Sequence, residues 1–356
     1  MKYLFYISTI SGGGAARVMV NIANGLAEQG FEVSLVTNFR ASHEYSVHDR
    51  IERYVVESTE DTNGSLKKNL NRIQILRRLV KDIKPDICVS FMVENNFRLM
   101  ISTIGLKTKT VVSVRNDPAK EYPTARLRKL AELLYKRADG VVFQTEDAKA
   151  FFSNNIQKKS RIIFNQVDER FFEDQSTEQG EYIVACGRLT KQKNYPMMIK
   201  AFSDAHKNHE TEELRIYGEG DLQEELIKMV RESDLEKSVH FMGFSSDMVD
   251  VYRHAKLLIM TSDYEGMPNA ILEALASGVP VISTDCPCGG PKMVIEPGVN
   301  GYLVPVGDSK RMGILINELL DDNDKLSAMK EKAKASADQF RSDTILKEWI
   351  SYLSSV

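Results

Sequence analysis

The sequence predicts an α/β protein of two domains, each a parallel sheet joined by crossover helices, and three observations lead there. Short β-branched runs alternate with longer amphipathic segments along the whole chain, as parallel strands connected by helices do. At 356 residues and 42% hydrophobic, the chain exceeds what one core serves. Charge is also divided. Residues 1–170 hold 27 Lys+Arg against 19 Asp+Glu and the remainder 20 against 31, which together give the formal net charge of −3. Halves of opposite sign suit domains with different partners.

The opening MKYLFYISTI is apolar, yet it is too short to span a bilayer and lacks a signal-cleavage pattern, so it reads as the first buried strand of a cytosolic protein. Strands are expected at 3–8, 32–37, 86–91, 110–114 and 140–144. The second half restarts the pattern with EYIVACGRL, ELRIYGEG, SVHFMGF, KLLIMTS and VPVISTD, each running into Gly or a turn residue. Between the halves, the polar, aperiodic stretch 165–180 reads as a linker, so the domains are placed at 1–168 and 175–339. The last segment spaces Ile345, Trp349 and Leu353 by four, making one apolar helical face. Residues 340–356 either cap the second domain or pack back onto the first. Cys88, Cys186, Cys286 and Cys288 lack metal spacing and are expected to be free thiols.

The chemistry concentrates in YEGMPNAILEALASGVPVI, where Glu265 and Glu273 bracket the start of an apolar helix. Pro268 suits the first helical position and Ser277-Gly278 the stop. Glu265 then lies just outside the N-terminus and Glu273 about 7–8 Å along the axis. Between them, unpaired first-turn amides and the positive end of the helix dipole offer an anion site. The order carboxylate, anion site, carboxylate matches a nucleoside diphosphate sugar. CGRLTKQKN presents Arg188 and Lys193 directly after a strand, as cations for a diphosphate whose charge grows in the transition state. They make a metal unnecessary. No Asp-x-Asp stands at a strand end and the histidines are scattered, so neither metal nor cofactor is expected.

Near the N-terminus, SGGGAARVMV places Gly12, Gly13 and Gly14 before a helix, where a ligand could approach the backbone closely. The run does not fit G-x-G-x-x-G. Thr37-Asn38 also stand where an acidic residue would hold a nicotinamide ribose.

GRLTKQKN, EGMPNAILEALASGVPVI and PGVNGYLVP, in that order and spacing, resemble the family 4 glycosyltransferases, and SGGGAARVMVNIANGLAEQGFEVSLVT adds an N-terminal hallmark. The resemblance spans nearly the whole chain. It implies the GT-B fold, two Rossmann-like domains facing each other across a cleft, with the acceptor bound by the N-terminal domain and the nucleotide sugar by the C-terminal one. Carried over, Glu273 would hold the ribose, Arg188 and Lys193 the diphosphate, and Glu265 with Gly266, Met267, Pro268 and Asn269 the donor sugar. Two departures stand out. Ala16-Arg17 replace the Glu-Arg of many relatives, and VVSVRNDP offers Arg115 and Asn116 where many have a histidine. Neither is a general base at neutral pH, which suits a retaining mechanism in which the departing phosphate takes the acceptor proton. Binding a phosphate is the preferred role for Arg115.

The implied activity is retaining transfer of a hexose or N-acetylhexosamine from a UDP-sugar to a lipid-linked saccharide in bacterial surface polysaccharide assembly (capsule or lipopolysaccharide). Plainer readings exist for each feature. Glu273 could serve the helix dipole, Arg188 and Lys193 could be idle surface charges, Arg115–Pro118 a turn, and the glycines purely structural. The helix in SLKKNLNRIQILRRLVKDIKP is either a solvated crossover face or a surface attracted to anionic lipid at the inner membrane face; nothing in it reads nucleic acid. Two alternative classes, a nucleotide-sugar epimerase and a NAD-dependent dehydrogenase, remain open on the residues alone.

Overall fold

The computed structural model describes residues 1–57, 66–173 and 180–356. They form two compact units, Met1–Gln166 with Asp343–Val356, and Val167–Ser342.

The first unit is built on a seven-stranded sheet: β1 (Lys2–Ile7), β2 (Glu32–Thr37), β3 (Glu52–Val55), β4 (Ile87–Phe91), β5 (Lys109–Ser113), β6 (Gly140–Phe143) and β7 (Ser160–Ile162). The order is β3-β2-β1-β4-β5-β6-β7, and every pairing is parallel. Strands β1 and β4 are buried on both faces, which is why they read as unbroken apolar runs rather than alternating ones. Successive side chains of β1 divide between two layers. Tyr3, Phe5 and Ile7 enter a core shared with Trp349, whereas Leu4 and Tyr6 enter one shared with Leu76 and Val80.

The Ser342–Ser355 helix settles the alternatives for the last segment. Ile345, Trp349 and Leu353 are fully buried in the first unit's core, with the Trp349 ring 5.6 Å from that of Phe91. The Tyr352 hydroxyl accepts from the Val141 amide at 2.8 Å, and Gly25 leaves room for Leu346.

The second unit has six parallel strands: β8 (Tyr182–Cys186), β9 (Leu214–Tyr217), β10 (Val239–Gly243), β11 (Ala255–Met260), β12 (Val281–Thr284) and β13 (Gly301–Val304). Their order is β10-β9-β8-β11-β12-β13. In each sheet the direction of strand addition reverses once, at β1/β4 and at β8/β11. Open α/β sheets bind ligands beyond the carboxyl ends of such a strand pair.

Three points correct the sequence reading. Strands β3, β7 and β13 exist although only stronger runs were expected; they hold three or four residues each, and several of their side chains are only partly buried. The expected linker 165–180 is structured through residue 173. Asn165 is buried, Val167 bridges to Arg341, and a 3-10 turn, Glu169–Phe172, buries both phenylalanines. The rest of that stretch, 174–179, lies outside the described residues. Finally, Pro268 is the N-cap of the Asn269–Ala276 helix rather than its first residue. All four cysteines are free. No described helix is long and apolar enough to cross a membrane.

Candidate active site

In the second unit, the loops that follow β8 and β11 meet at the reversal point. The β8 loop is short of room. A Cβ on Gly218 would stand 2.0 Å from the Gly187 carbonyl oxygen, and one on Gly220 2.4 Å from that of Leu189. Only glycine lets these loops stack. Lys191–Lys193 then form a 3-10 turn, and Asn194, in left-handed conformation at φ 46°, caps the Tyr195–His206 helix by accepting from the Met197 amide.

This turn is tied to the β11 loop by polar bonds that position Lys193. Thr261 Oγ1 donates to the Lys193 and Asn194 carbonyls, both at 2.9 Å, Asn194 Nδ2 donates to Asp263 Oδ1 at 2.8 Å, and Gln192 Nε2 donates to the Tyr264 carbonyl at 2.9 Å. Lys193 Nζ consequently reaches Glu265 Oε1 at 2.6 Å, and Ser262 Oγ donates to the same oxygen at 2.9 Å. Glu265 is buried. A carboxylate out of water requires such a cation, and the pair is mutually dependent.

The Glu265 backbone is fixed from the other side, its amide donating to the Pro287 carbonyl at 2.7 Å. The Gly289–Gly290 segment packs against the Gly266 turn so closely that a Cβ on Gly290 would fall 1.6 Å from the Gly266 carbonyl oxygen. Beyond that turn, Pro268 caps the Asn269–Ala276 helix without a side-chain acceptor, its carbonyl taking the Ile271 amide at 3.1 Å, and the positive end of the helix dipole faces the Gly266 turn.

Glu273 is buried in the same helix. Its charge is felt by Cys186, the last residue of β8, whose thiol is pushed up to about 12 by burial first and by Glu273 further, with Lys193 opposing. Burial raises Cys286 to about 12, and it too feels Glu265, which raises it further, and Lys193, which opposes. These shared neighbours place Glu273, Lys193 and Glu265 in one region. Arg188 differs from its predicted companion. Its side chain is exposed and, among the described residues, forms no ion pair, while Lys193 is enclosed.

The first unit holds the remaining expected residues. Gly12 and Gly13 take positive φ, 62° and 75°, ahead of the Gly14–Glu28 helix, and a Cβ on either would meet nothing within 4 Å. The turn is open to solvent, and its glycines are required by backbone conformation. Asn38, where a nicotinamide ribose would need a carboxylate, accepts from the Tyr6 hydroxyl at 2.8 Å and donates to Ser8 Oγ at 3.2 Å.

Arg115 follows β5 and is buried. Its guanidinium donates to Asn165 Oδ1, which also accepts from Gln144 at 2.7 Å, and stacks 4.5 Å over the Phe91 ring. Burial pulls it down to about 9, so it stays charged at neutral pH. Arg115 Nε, Asn116 Oδ1 and Glu121 Oε2 are buried without partners among the described residues. Glu121 is pushed up to about 7 by burial and by Asp117, against Arg115. Sequence reasoning missed Glu121, Gln144 and Asn165, which carry no motif. The Asn194 cap was findable, since Asn ahead of Tyr-Pro suits a helix N-cap, whereas its bond to Asp263 across the two loops was not.

Known proteins resemble the chain over most of its length. Residues 12–171 match the family described as Glycosyltransferase Family 4, and residues 166–336 match that described as Glycosyl transferases group 1. A Campylobacter jejuni subsp. jejuni serotype O:2 protein, GalNAc-alpha-(1->4)-GalNAc-alpha-(1->3)-diNAcBac-PP-undecaprenol alpha-1,4-N-acetyl-D-galactosaminyltransferase, is 27% identical over 100% of this chain and 99% of its own. An N-acetylgalactosamine-N,N'-diacetylbacillosaminyl-diphospho-undecaprenol 4-alpha-N-acetylgalactosaminyltransferase from the same organism is 27% identical, with 99% of each chain covered. Anabaena Alr3699/HepE, solved in complex with UDP-glucose, superposes with a TM-score of 0.82 at 19% identity over 100% of both chains, a likeness of fold. The epimerase and dehydrogenase readings find no support among these matches. Together the two matched segments, the two parallel sheets and the paired loops identify the chain as a glycosyltransferase belonging to family 4, of the GT-B fold.

Proposed function

We propose that this enzyme transfers a hexose or N-acetylhexosamine from a UDP-sugar to a saccharide hydroxyl with retention of anomeric configuration, the acceptor being lipid-linked, in bacterial surface polysaccharide assembly. One observation carries the reading of the site. The Lys193–Glu265 pair stands at the β8/β11 reversal point, one turn ahead of a helix whose N-cap has no side-chain acceptor. UDP-glucose in the HepE complex and the diphospho-undecaprenol acceptors in the names of the two Campylobacter relatives support the choice of donor and acceptor.

In this reading the diphosphate lies at the tip of the Asn269–Ala276 helix, where the amides and dipole favour anions. Glu273 binds the ribose. Both bonds to Glu265 from described residues fall on Oε1, so Oε2 is the oxygen offered to a donor-sugar hydroxyl, beside the Gly266–Asn269 turn. As the anomeric carbon–oxygen bond breaks, the ring gains oxocarbenium character and the leaving diphosphate gains charge, which Lys193 and the exposed Arg188 stabilise. The acceptor oxygen bonds to the anomeric carbon on the face the diphosphate leaves, and its proton passes to the departing phosphate oxygen. The first unit supplies the acceptor side through Gly12–Gly14, Arg115 and Asn116. No metal or cofactor is required.

Thermal unfolding with a panel of UDP- and GDP-sugars, with chelator and without magnesium, tests the proposal. Stabilisation by UDP-sugars and transfer with a retained anomer are expected. Stabilisation by NAD and by no nucleotide sugar would overturn it.

A further inference from the structure

The first unit carries an apolar, basic surface that the reading above does not use. In the Ala125–Arg137 helix, Ala131, Leu134 and Tyr135 face the core. The opposite face spaces Arg126, Leu130, Leu133 and Arg137 by four, three and four, one straight helical stripe. Leu133 is 68% exposed, and Leu130 is exposed beside it. Arg137 ends this stripe by donating to Thr103 Oγ1 at 3.3 Å, between the exposed Ile101 and Ile104.

A second stripe reaches the same point from the Leu66–Ile83 helix. There Arg77 donates to the Ser102 and Ile104 carbonyls at 2.8 and 2.6 Å, and Leu70, seven residues earlier on the same face, is 59% exposed. Two helices therefore converge, with bare leucines, on the exposed side chains of Ile101 and Ile104 at the end of the Val93–Ser102 helix. Lys67, Arg126 and Lys129 border the patch, exposed and unpaired among the described residues. The nearby carboxylates are already engaged, Glu132 with Lys136 at 3.2 Å and Glu94 with Arg98 at 2.6 Å.

We infer that this face docks the enzyme on an anionic phospholipid bilayer, the leucines and isoleucines entering the acyl boundary while the cations meet the headgroups. Contiguous exposed apolar surface rimmed by charge marks an interaction site. The charge selects among occupants. A second copy would set cations against cations, and a single-stranded nucleic acid would want aromatic platforms rather than leucines. An anionic bilayer satisfies both components. The inference extends the reading of a lipid-held acceptor, but its test needs no substrate.

The full chain is titrated with vesicles containing about one third phosphatidylglycerol and with pure phosphatidylcholine vesicles, and binding is read by co-sedimentation. Binding to the anionic vesicles only is expected, weakening about tenfold as salt rises several-fold. Leu130→Ser with Leu133→Ser should weaken it about tenfold, and separately Arg126→Ala with Lys129→Ala about twenty-five-fold, since each cation near such a surface contributes about fivefold. Both variants should keep the wild-type unfolding temperature and their transfer rate to a short water-soluble acceptor. Absence of vesicle binding by the wild type overturns the inference, as does binding by either variant within twofold of it. A dimer in sedimentation that the double serine variant dissociates, or tighter binding to single-stranded RNA than to vesicles, overturns it as well. Failure of transfer with intact vesicle binding would instead indict the enzymatic reading.

Discussion

Lys193 Nζ lies 2.6 Å from Glu265 Oε1, although the two residues belong to loops that follow different strands, β8 and β11. Seventy-odd residues of chain separate them, and the bonds of Gln192, Asn194 and Thr261 to the β11 loop and the Lys193 turn bring them together. Removing one partner strands the other. Lys193→Ala should lower unfolding free energy by about 3 kcal/mol, the low end for an uncompensated buried carboxylate, since both side chains keep some exposure. It should also slow transfer by about a hundredfold through lost stabilisation of the leaving group. Urea unfolding and initial rates check both, and a rate within threefold of wild type rejects the catalytic role.

The two glutamates should separate kinetically. Glu273→Ala is expected to weaken UDP binding about tenfold with little change in kcat, whereas Glu265→Ala lowers kcat and leaves UDP affinity close to wild type. Calorimetric titration of UDP and steady-state transfer distinguish the two, and an active double variant would reject both assignments.

Arg188 offers a cleaner probe than Lys193, because its exposed side chain bonds to no described residue. Arg188→Ala should leave stability within about 0.5 kcal/mol of wild type, as surface substitutions do. The transfer rate should still fall about tenfold or more. Unchanged turnover would return Arg188 to the idle surface charges.

Glu121 predicts a pH dependence of stability. Burial holds its proton in the folded state up to about 7, whereas the ordinary value is 4.5. Between these values unfolding releases a proton, so stability falls as pH rises through that window and is level outside it. Glu121→Gln should flatten the slope and raise Tm at pH 8 by about 3 °C. A wild-type slope that survives the substitution assigns it to another group.

Gly290→Ala tests the packing under Glu265. Its Cβ would enter the Gly266 carbonyl, 1.6 Å away, so one of the two loops must move. A loss of at least about 2 kcal/mol is expected, together with a fall in turnover, because the displaced turn carries the glutamate. Wild-type activity would show that the turn's position does not matter to catalysis.

Much of the fold was legible because the strands that build the two sheet centres are buried on both faces and appear as continuous apolar runs, as in LFYI and ICVSF. Edge strands such as Glu52–Val55 and Ser160–Ile162 are short and half-buried, and their pattern is too weak to read. In the site, Glu265, Glu273, Arg188 and Lys193 stood out by charge beside turn and helix signals. Their pairing did not. It depends on which strands are neighbours, and the β8/β11 adjacency is set by tertiary topology. For the same reason Asn165 and Gln144, fifty and twenty-nine residues from Arg115, could not be connected to it in advance. The linker was misjudged because polar composition concealed Phe171 and Phe172, which are buried.

The placement of Trp349 orders events during synthesis. The second unit is one uninterrupted stretch, Val167–Ser342, but the first lacks Ile345, Trp349 and Leu353 until the chain beyond that stretch is made. Until Ser342–Ser355 is available, the upstream unit keeps an open seam along Phe91 and Leu26, although the downstream unit has all its parts. Nascent chains stalled before residue 343 should attract chaperones at the amino-terminal half, even though that half was translated first.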